Sequence, residues 1–218
     1  MQAKRFTAPS GENVNYDQIK KPTLGRLPLY YEYVNSLPDS VKHVSSAEIA
    51  KALGLGEVQV RKDLGSISKK GKPKVGFNRA DLVKSFEKIL KPDGSNCVVI
   101  GAGKLGKAFL GYDGFKKFGL DISAAFDVDP AKCGQGEGKP VYNLSELGEY
   151  CKTHAVKIGV ITVPAVAAQN ACDALVSAGV KTIWCFAPVK LRVDGDVTVL
   201  QEDMALSLAF LNLKIKKD

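Results

Sequence analysis

Six residues, Gly101-Ala102-Gly103-Lys104-Leu105-Gly106, have the spacing G-x-G-x-x-G. The chemistry open to that spacing is the cradling of a pyrophosphate. Gly101 permits a tight turn after a strand, Gly103 lets backbone approach the anion at the positive end of a helix, and Gly106 lets that helix lie close on the strand. Ala102, Lys104 and Leu105 complete the turn, and Lys104 adds charge near the pyrophosphate. An acid is required about 20 residues later to accept the ribose hydroxyls. Asp127 stands 21 residues after Gly106 and is followed by Val128. A carboxylate there repels a 2′-phosphate, so the reading favours NADH and NAD+ over their phosphorylated counterparts. Thr162-Val163-Pro164 and Phe186-Ala187-Pro188 end two later apolar segments. Ligands of parallel sheets lie beyond the carboxyl ends of the strands, so both segments are candidates to line the nicotinamide half. Each on its own is equally consistent with strand-end packing.

A second constellation suits nucleic acid. Gln59, Arg61 and Lys62 fall within one short helical segment. Arg and Gln can bond base edges bidentately, and Lys can neutralise phosphate. Ser46, at the start of the preceding helix, and Lys69, Lys72 and Lys74, in a lysine-rich stretch that follows, complete the candidate DNA contacts. Lys70 belongs to the same stretch. A solvated charged loop is the plain alternative for these lysines taken alone. The distribution of charge supports contact with phosphate: residues 1–91 carry 17 Lys and Arg against 9 Asp and Glu, whereas residues 92–218 carry 14 of each.

The elements that would hold these residues can be read from spacing and caps. Residues 1–20 are polar and are expected to form a mobile arm. A helix is expected over residues 26–37, starting close to Pro28 and turning Leu27, Tyr30, Tyr31 and Val34 inward. Ser45 and Glu48 form a capping box before a short helix that Gly54 ends. Gly56 opens the helix with Gln59, Arg61 and Lys62, which makes a helix-turn-helix. Residues 68–77 are expected to form a hairpin, or wing, and Asn78 caps a helix running to Leu90. Residues 91–95 are the linker. Strands alternate with helices beyond it: strands over 97–100, 122–127, 156–163 and 181–186, with a fifth at 197–200, and helices over 101–109 and 165–177. That alternation implies a doubly wound parallel sheet. An apolar helix over 203–213 closes the chain. The expected fold is therefore α/β, with a winged-helix domain at residues 21–91, a Rossmann-type domain at 92–200 and a C-terminal helix at 201–218.

Composition excludes other classes. No run approaches the roughly 20 apolar residues of a membrane span, and the first residues do not read as a secretory signal, so a cytoplasmic protein is expected. The five cysteines are scattered and form no C-x-x-C pair, which argues against a zinc site or a disulfide framework. Catalytic machinery is also missing. The two histidines, His43 and His154, stand outside any constellation. Tyr112 and Lys116 have the Y-x-x-x-K spacing of a reductase acid pair but follow the glycine turn too closely. Neither catalytic residues nor a metal site is assigned.

From about Lys21 to Leu213 the chain resembles the Rex family of redox-sensing transcriptional repressors. The resemblance rests on Arg26-Leu27-Pro28-Leu29-Tyr30-Tyr31, Gln59-Val60-Arg61-Lys62-Asp63-Leu64, the glycine turn, Phe126-Asp127-Val128-Asp129-Pro130, Thr162-Val163-Pro164, Phe186-Ala187-Pro188 and Glu202-Asp203-Met204-Ala205. It implies a homodimer that binds a palindromic double-stranded operator, a last helix swapped between protomers, and release of the DNA by NADH, with NAD+ competing without releasing it. It puts Arg61 and Lys62 on the recognition helix and Arg26, Tyr112 and Asp203 in an inter-domain polar network that changes with ligand. The wing departs from the family pattern, with Ile67-Ser68 and Pro73-Lys74 where Phe-Gly and Arg-Gly are usual. Lys104 and Cys185 stand where asparagine is common. Two other readings remain: a small NAD-dependent oxidoreductase with an accessory basic domain, and a nucleotide-binding module that docks on a protein partner.

Overall fold

A computed structural model describes residues 19–68, 71–91 and 94–215, with residues 213 and 214 described in backbone only. Most of the expected N-terminal arm, Lys69, Lys70 and part of the 91–95 linker therefore lie outside the described residues. The chain divides into two compact units, Met1–Pro92 and Asp93–Asp218.

In the first unit, α1 spans Lys21–Ser36 and contains Pro28 in its interior. The expected start near Pro28 is thus five residues or more too late. Pro22 occupies the first turn instead, where a missing N–H costs nothing. An interior proline costs about 3 kcal/mol. The face made by Thr23, Leu27, Tyr30, Tyr31 and Val34 is buried and outweighs that cost. Ile19, assigned from sequence to the arm, is buried as well.

Strand β1 (His43–Val44) leads into α2 (Ser46–Leu53). The Ser45 hydroxyl accepts from the Glu48 N–H at 3.1 Å, and Glu48 Oε2 accepts from the Ser45 N–H at 2.6 Å. Gly54, left-handed at φ 65°, ends α2 as its spacing predicts. Helix α3 follows (Glu57–Ile67), then β2 (Phe77–Asn78) and α4 (Arg79–Leu90), which Asn78 caps through the Asp81 N–H. The expected hairpin of residues 68–77 takes a different form. The two strands of this small sheet are β1 and β2, with Val44 opposite Phe77 and His43 opposite Asn78. Between α3 and β2 a tight turn is closed by reciprocal bonds between Lys72 and Gly76, with Lys74 at φ 63°.

The second unit is a seven-stranded sheet. Its strands are β3 (Ser95–Ile100), β4 (Leu120–Asp127), β5 (Gly134–Gly136), β6 (Lys139–Asn143), β7 (Val156–Ile161), β8 (Thr182–Cys185) and β9 (Thr198–Gln201). Their order is β5-β6-β4-β3-β7-β8-β9, parallel throughout except for the β5–β6 hairpin. Helices α5 (Lys104–Leu110), α6 (Leu147–His154) and α7 (Ala165–Ser177) connect them. Alternate residues of β3 serve the two faces. Val98 and Ile100 pack with Phe126, Leu147, Ala171, Cys172 and Leu175, and Cys97 and Val99 pack with Ala125, Val141, Val160 and Leu110. A sheet covered on both faces accounts for the continuous apolar run of its central strands. Chain order reverses on either side of β3, so a crevice opens beyond the ends of β3 and β7.

The last helix, α8 (Met204–Ile215), is apolar on most sides. Asp203 caps it, its Oδ1 accepting from the Ala205 and Leu206 N–H groups. Met204, Leu206, Leu208, Phe210, Leu211 and Ile215 are between 56% and 73% exposed within the single chain.

Helix α5 is placed by one close approach. A Cβ on Gly106 would collide with the Gly101 carbonyl oxygen, whereas a Cβ on Gly103 would meet nothing within 4 Å. Gly106→Ala is therefore expected to destabilise the protein by about 1–3 kcal/mol. Gly103→Ala is expected to stay within about 0.5 kcal/mol of the parent. Thermal unfolding of the two variants tests the contrast.

Candidate functional site

The glycine turn is braced by both strands that neighbour β3. Gly101 sits at φ 104° and donates its N–H to Phe126 O at 2.7 Å. The Ala102 N–H donates to Asp127 Oδ2 at 2.8 Å. On the β7 side the Thr162 hydroxyl lies 2.8 Å from Gly101 O and 3.1 Å from Ile100 O, sharing its one proton between two carbonyls. Thr162, a candidate for the nicotinamide half, thus spends its hydroxyl on the turn. Val163 is half-buried and its methyl stands against Gly101.

Gly103 and Lys104 are exposed at the start of α5, Leu105 is half-buried, and Ala102 and Gly106 are buried. The open face at Gly103 and the carboxylate across from it make a cradle that fits a dinucleotide: backbone for the pyrophosphate, an acceptor for the ribose. Asp127 is buried at the end of β4. Its Oδ1 accepts from the Asp129 N–H at 2.9 Å, and Lys132 Nζ lies 3.2 and 3.3 Å from its two oxygens. Burial alone would raise this carboxyl, but the N–H groups of Asp129 and Ala102 and the Lys132 ammonium together hold it below the usual carboxylate range. Val128 is exposed beside it.

Pro164 and Pro188 are exposed at the ends of the strand-following turns, Phe186 is half-buried and Ala187 buried. Phe186 belongs to an aromatic cluster. Its ring lies 4.8 Å from Phe109 and 4.5 Å from Trp184, and Phe115 joins Phe109 at 6.0 Å. Tyr112 is exposed and packs edge-on against Phe115. Cys185 is buried in the opposite core, with its thiol 3.7 Å from Ala187 O. It does not line this edge, so its replacement of an asparagine changes the core.

In the first unit, Arg61 and Lys62 are exposed on α3, and the nearest partner of Arg61 is Glu57 one turn back, at 3.9 Å. Lys72 and Lys74 are exposed on the turn. Ser46 and Gln59 are the other two described candidates. Ser46 is buried in the first turn of α2. Gln59 is exposed, yet its Nε2 donates to Asp63 Oδ1 at 3.0 Å, which commits part of the amide to the protein.

Asp63 is the buried acid of the first unit, and its partners are not visible from spacing. It is 2% exposed on the inner side of α3. Besides Gln59 it accepts from the Thr23 hydroxyl at 2.8 Å, the Tyr30 hydroxyl at 2.8 Å, and Arg26 through Nε at 2.8 Å and Nη2 at 3.1 Å. Burial opposes its ionisation, but the bonds from Arg26, Tyr30, Thr23 and Gln59 prevail and lower its pKa. Burial and the same carboxylate push the Tyr30 hydroxyl up to about 12. Arg26 therefore meets a partner inside its own unit, and Asp203 meets one at the start of its own helix.

Comparison with known proteins gives a consistent picture. The family "Putative DNA-binding protein N-terminus" matches residues 18–65, and the family "CoA binding domain" matches residues 93–189. The chain is 40% identical over 195 residues to a redox-sensing transcriptional repressor Rex of Treponema denticola, covering 88% of this chain and 93% of that one. It is 40% identical over 203 residues to the protein of the same name from Bacillus subtilis, covering 91% and 94%. Among solved structures, RSP in complex with β-NAD+ and operator DNA matches with a TM-score of 0.84 at 31% identity, over 91% of this chain and 93% of that one. RSP in complex with β-NADH matches at 0.79 and 30%, over 92% and 95%.

The Asp63 cluster sets a pH window for the stability of the first unit. A lowered carboxyl pKa contributes stability above the ordinary carboxylate value of 3.8, and that contribution fades as pH falls through the folded value. A raised phenol pKa contributes below the ordinary value of 10.0 and is lost as pH climbs towards about 12. Stability should thus fall at both ends. Asp63→Asn, which leaves Arg26 facing a neutral amide, should cost about 3–5 kcal/mol at neutral pH by chemical denaturation.

Proposed function

The chain belongs to the Rex family of redox-sensing transcriptional repressors, and from that premise we propose a cytoplasmic homodimer that binds a palindromic operator and is released from it by NADH. It is a transcription regulator, not an enzyme. The observation that carries the reading is the presence in one chain of a basic, exposed helix-turn-helix surface and a braced glycine turn facing an acid at the end of the next strand.

On this reading Arg61 and Lys62 enter the major groove on α3, and Lys72 and Lys74 face phosphate from the turn. The backbone of residues 101–106 holds the pyrophosphate, Asp127 and Val128 hold the adenosine half, and Pro164 and Pro188 flank the nicotinamide half. Reduction of the nicotinamide removes a positive charge from the bound ring. NADH must then bind the DNA-free arrangement more tightly than the DNA-bound one, and by linkage the operator must weaken NADH by the same factor.

The apolar surface of α8 supports the dimer. A helix that is apolar on most sides requires burial on more than one, and a two-fold partner supplies it. Two winged helices related by that axis match the two halves of a palindrome. An exchanged α8 would carry Asp203 to the partner, where Arg26 and Tyr112 would be its candidate contacts.

Titration of a palindromic site pool, with and without NADH, tests the function. Added NADH should weaken specific binding by about 5- to 150-fold, the range of a 1–3 kcal/mol coupling. Arg61→Ala should cost about 1–3 kcal/mol and relax specificity, whereas Lys72→Ala should weaken all sequences alike and flatten the salt dependence. Unchanged affinity and specificity in Arg61→Ala would remove α3 from the groove.

Removal of the chain beyond Gly195 tests the assembly. Monomers or aggregates that bind operator poorly are expected by sedimentation and gel shift. A truncated monomer that still responds fully to NADH would place the switch within one chain.

A further inference from the structure

We infer that Lys132 is a specificity-determining residue of the dinucleotide site, one that sets how strongly the site rejects a 2′-phosphate. The inference rests on the dinucleotide reading given above.

A carboxylate offers about four acceptor positions. In Asp127 two are taken by backbone: Oδ2 by the Ala102 N–H at 2.8 Å and Oδ1 by the Asp129 N–H at 2.9 Å. Both donors are backbone groups, one in the glycine turn and the other at Asp129, just past the end of β4. The remaining positions face Lys132, whose Nζ bridges the two oxygens at 3.2 and 3.3 Å and lies 4.0 Å from Asp129 Oδ2. Lys132 ends the short 3-10 turn Pro130–Lys132, and its side chain is 42% exposed on a flexible four-carbon stem.

The consequence is a competition. A ribose diol reaches Asp127 only at the positions that Lys132 holds, so dinucleotide binding must exchange the ammonium for hydroxyl groups. The displaced ammonium remains tethered beside the ribose. A 2′-hydroxyl gives it no new counter-charge, whereas a 2′-phosphate gives it a dianion to pair with. The exposed end of β4 is thus not a bare carboxylate. Asp127 repels the phosphate, and Lys132 offsets part of that repulsion. Cofactor preference is set by the pair, with the lysine reducing the discrimination that the aspartate creates.

The test uses the full-length protein and two pairs of probes: NADH against NADPH, and ADP against adenosine 2′,5′-bisphosphate, which isolates the adenosine half. Affinities come from calorimetric titration, and folding from thermal unfolding. In Lys132→Met, NADH affinity should be equal or higher and NADPH affinity lower, so that the preference for the unphosphorylated ligand widens about tenfold, the size of one lost charge-assisted contact. The adenosine 2′,5′-bisphosphate and ADP pair should show the same widening, and Lys132→Arg should return the parent ratio. An unchanged ratio in Lys132→Met, or equal weakening of both ligands, overturns the inference and reduces Lys132 to a support for its loop. A parent protein that binds neither NADH nor ADP instead overturns the dinucleotide reading itself, so the two failures are distinguishable.

Discussion

A carbonyl oxygen occupies the space where a side chain would begin, and the second unit is organised around that contact. The Gly101 oxygen lies against the bare Cα of Gly106, which brings α5 onto the end of β3. The same oxygen accepts from the Thr162 hydroxyl, and the Gly101 N–H reaches back to Phe126 O. One turn is therefore tied to β7 on one side and β4 on the other, at the point where strand order reverses. That bracing leaves few conformations for the residues that face the crevice. The N–H of Ala102 is aimed at Asp127 by the turn rather than by the aspartate alone. Preorganised donors of this kind lose little entropy when a ligand arrives.

The first unit solves the corresponding problem with a charge. Helix α3 presents Arg61 and Lys62 outward, and a helix that carries cations on one face needs a firm hold on the other. Val60, Leu64 and Ile67 supply apolar contact. Apolar contact alone permits sliding. The five bonds to Asp63 do not, because a buried carboxylate that loses a donor pays for its desolvation in full. Three of the four residues that make those bonds, Thr23, Arg26 and Tyr30, come from α1. This also accounts for the tolerance of Pro28. The helix is held along its length by packing and by this cluster, so one missing backbone bond does not break it.

Local signals were the legible ones. The Ser45–Glu48 box, Gly54, Asn78 and the glycine turn each act over three to six residues, and each appears in the structure at its expected place. The start of α1 is not legible, because Pro28 resembles a first-turn proline, and only the burial of Thr23 and Leu27 shows that it is not. The β5–β6 hairpin is not legible, because its strands are short and its turn rests on Glu137 at φ 50° and Gly138 at φ 75°, a pair with weak sequence signature. Helix α6 buries only Leu147 and Cys151, too few for a periodic pattern to stand out. Ser46 reads as an exposed helix-start residue and is buried by packing that no local rule encodes. Asp63 and Lys132 carry long-range or loop-specific pairings. Their residue types were visible in the chain, but their partners were not.

The residues expected to form the switch all have contacts within their own units. Arg26 is bidentate on Asp63, Asp203 caps α8, and Tyr112 rests on Phe115. In the proposed switch, a rearrangement that brings Arg26 to Asp203 would therefore exchange the existing bonds of these residues for new ones. Such an exchange would have to compensate the buried Asp63 carboxylate for the two donors it loses, so the new bonds would have to match them closely. Near-neutrality is what a responsive repressor requires. An equilibrium lying many kcal/mol to one side could not be moved by a ligand whose differential affinity for the two states is 1–3 kcal/mol. On the proposed function, the Arg26–Asp63 pair would also give such an exchange a route to the DNA. Asp63 sits on the inner face of the helix that carries Arg61, and it holds Gln59 on the exposed one. Withdrawing Arg26 would remove two of the five bonds to Asp63, and on the proposed reading of α3 as the recognition helix that loss would loosen the hold on the helix that carries Arg61.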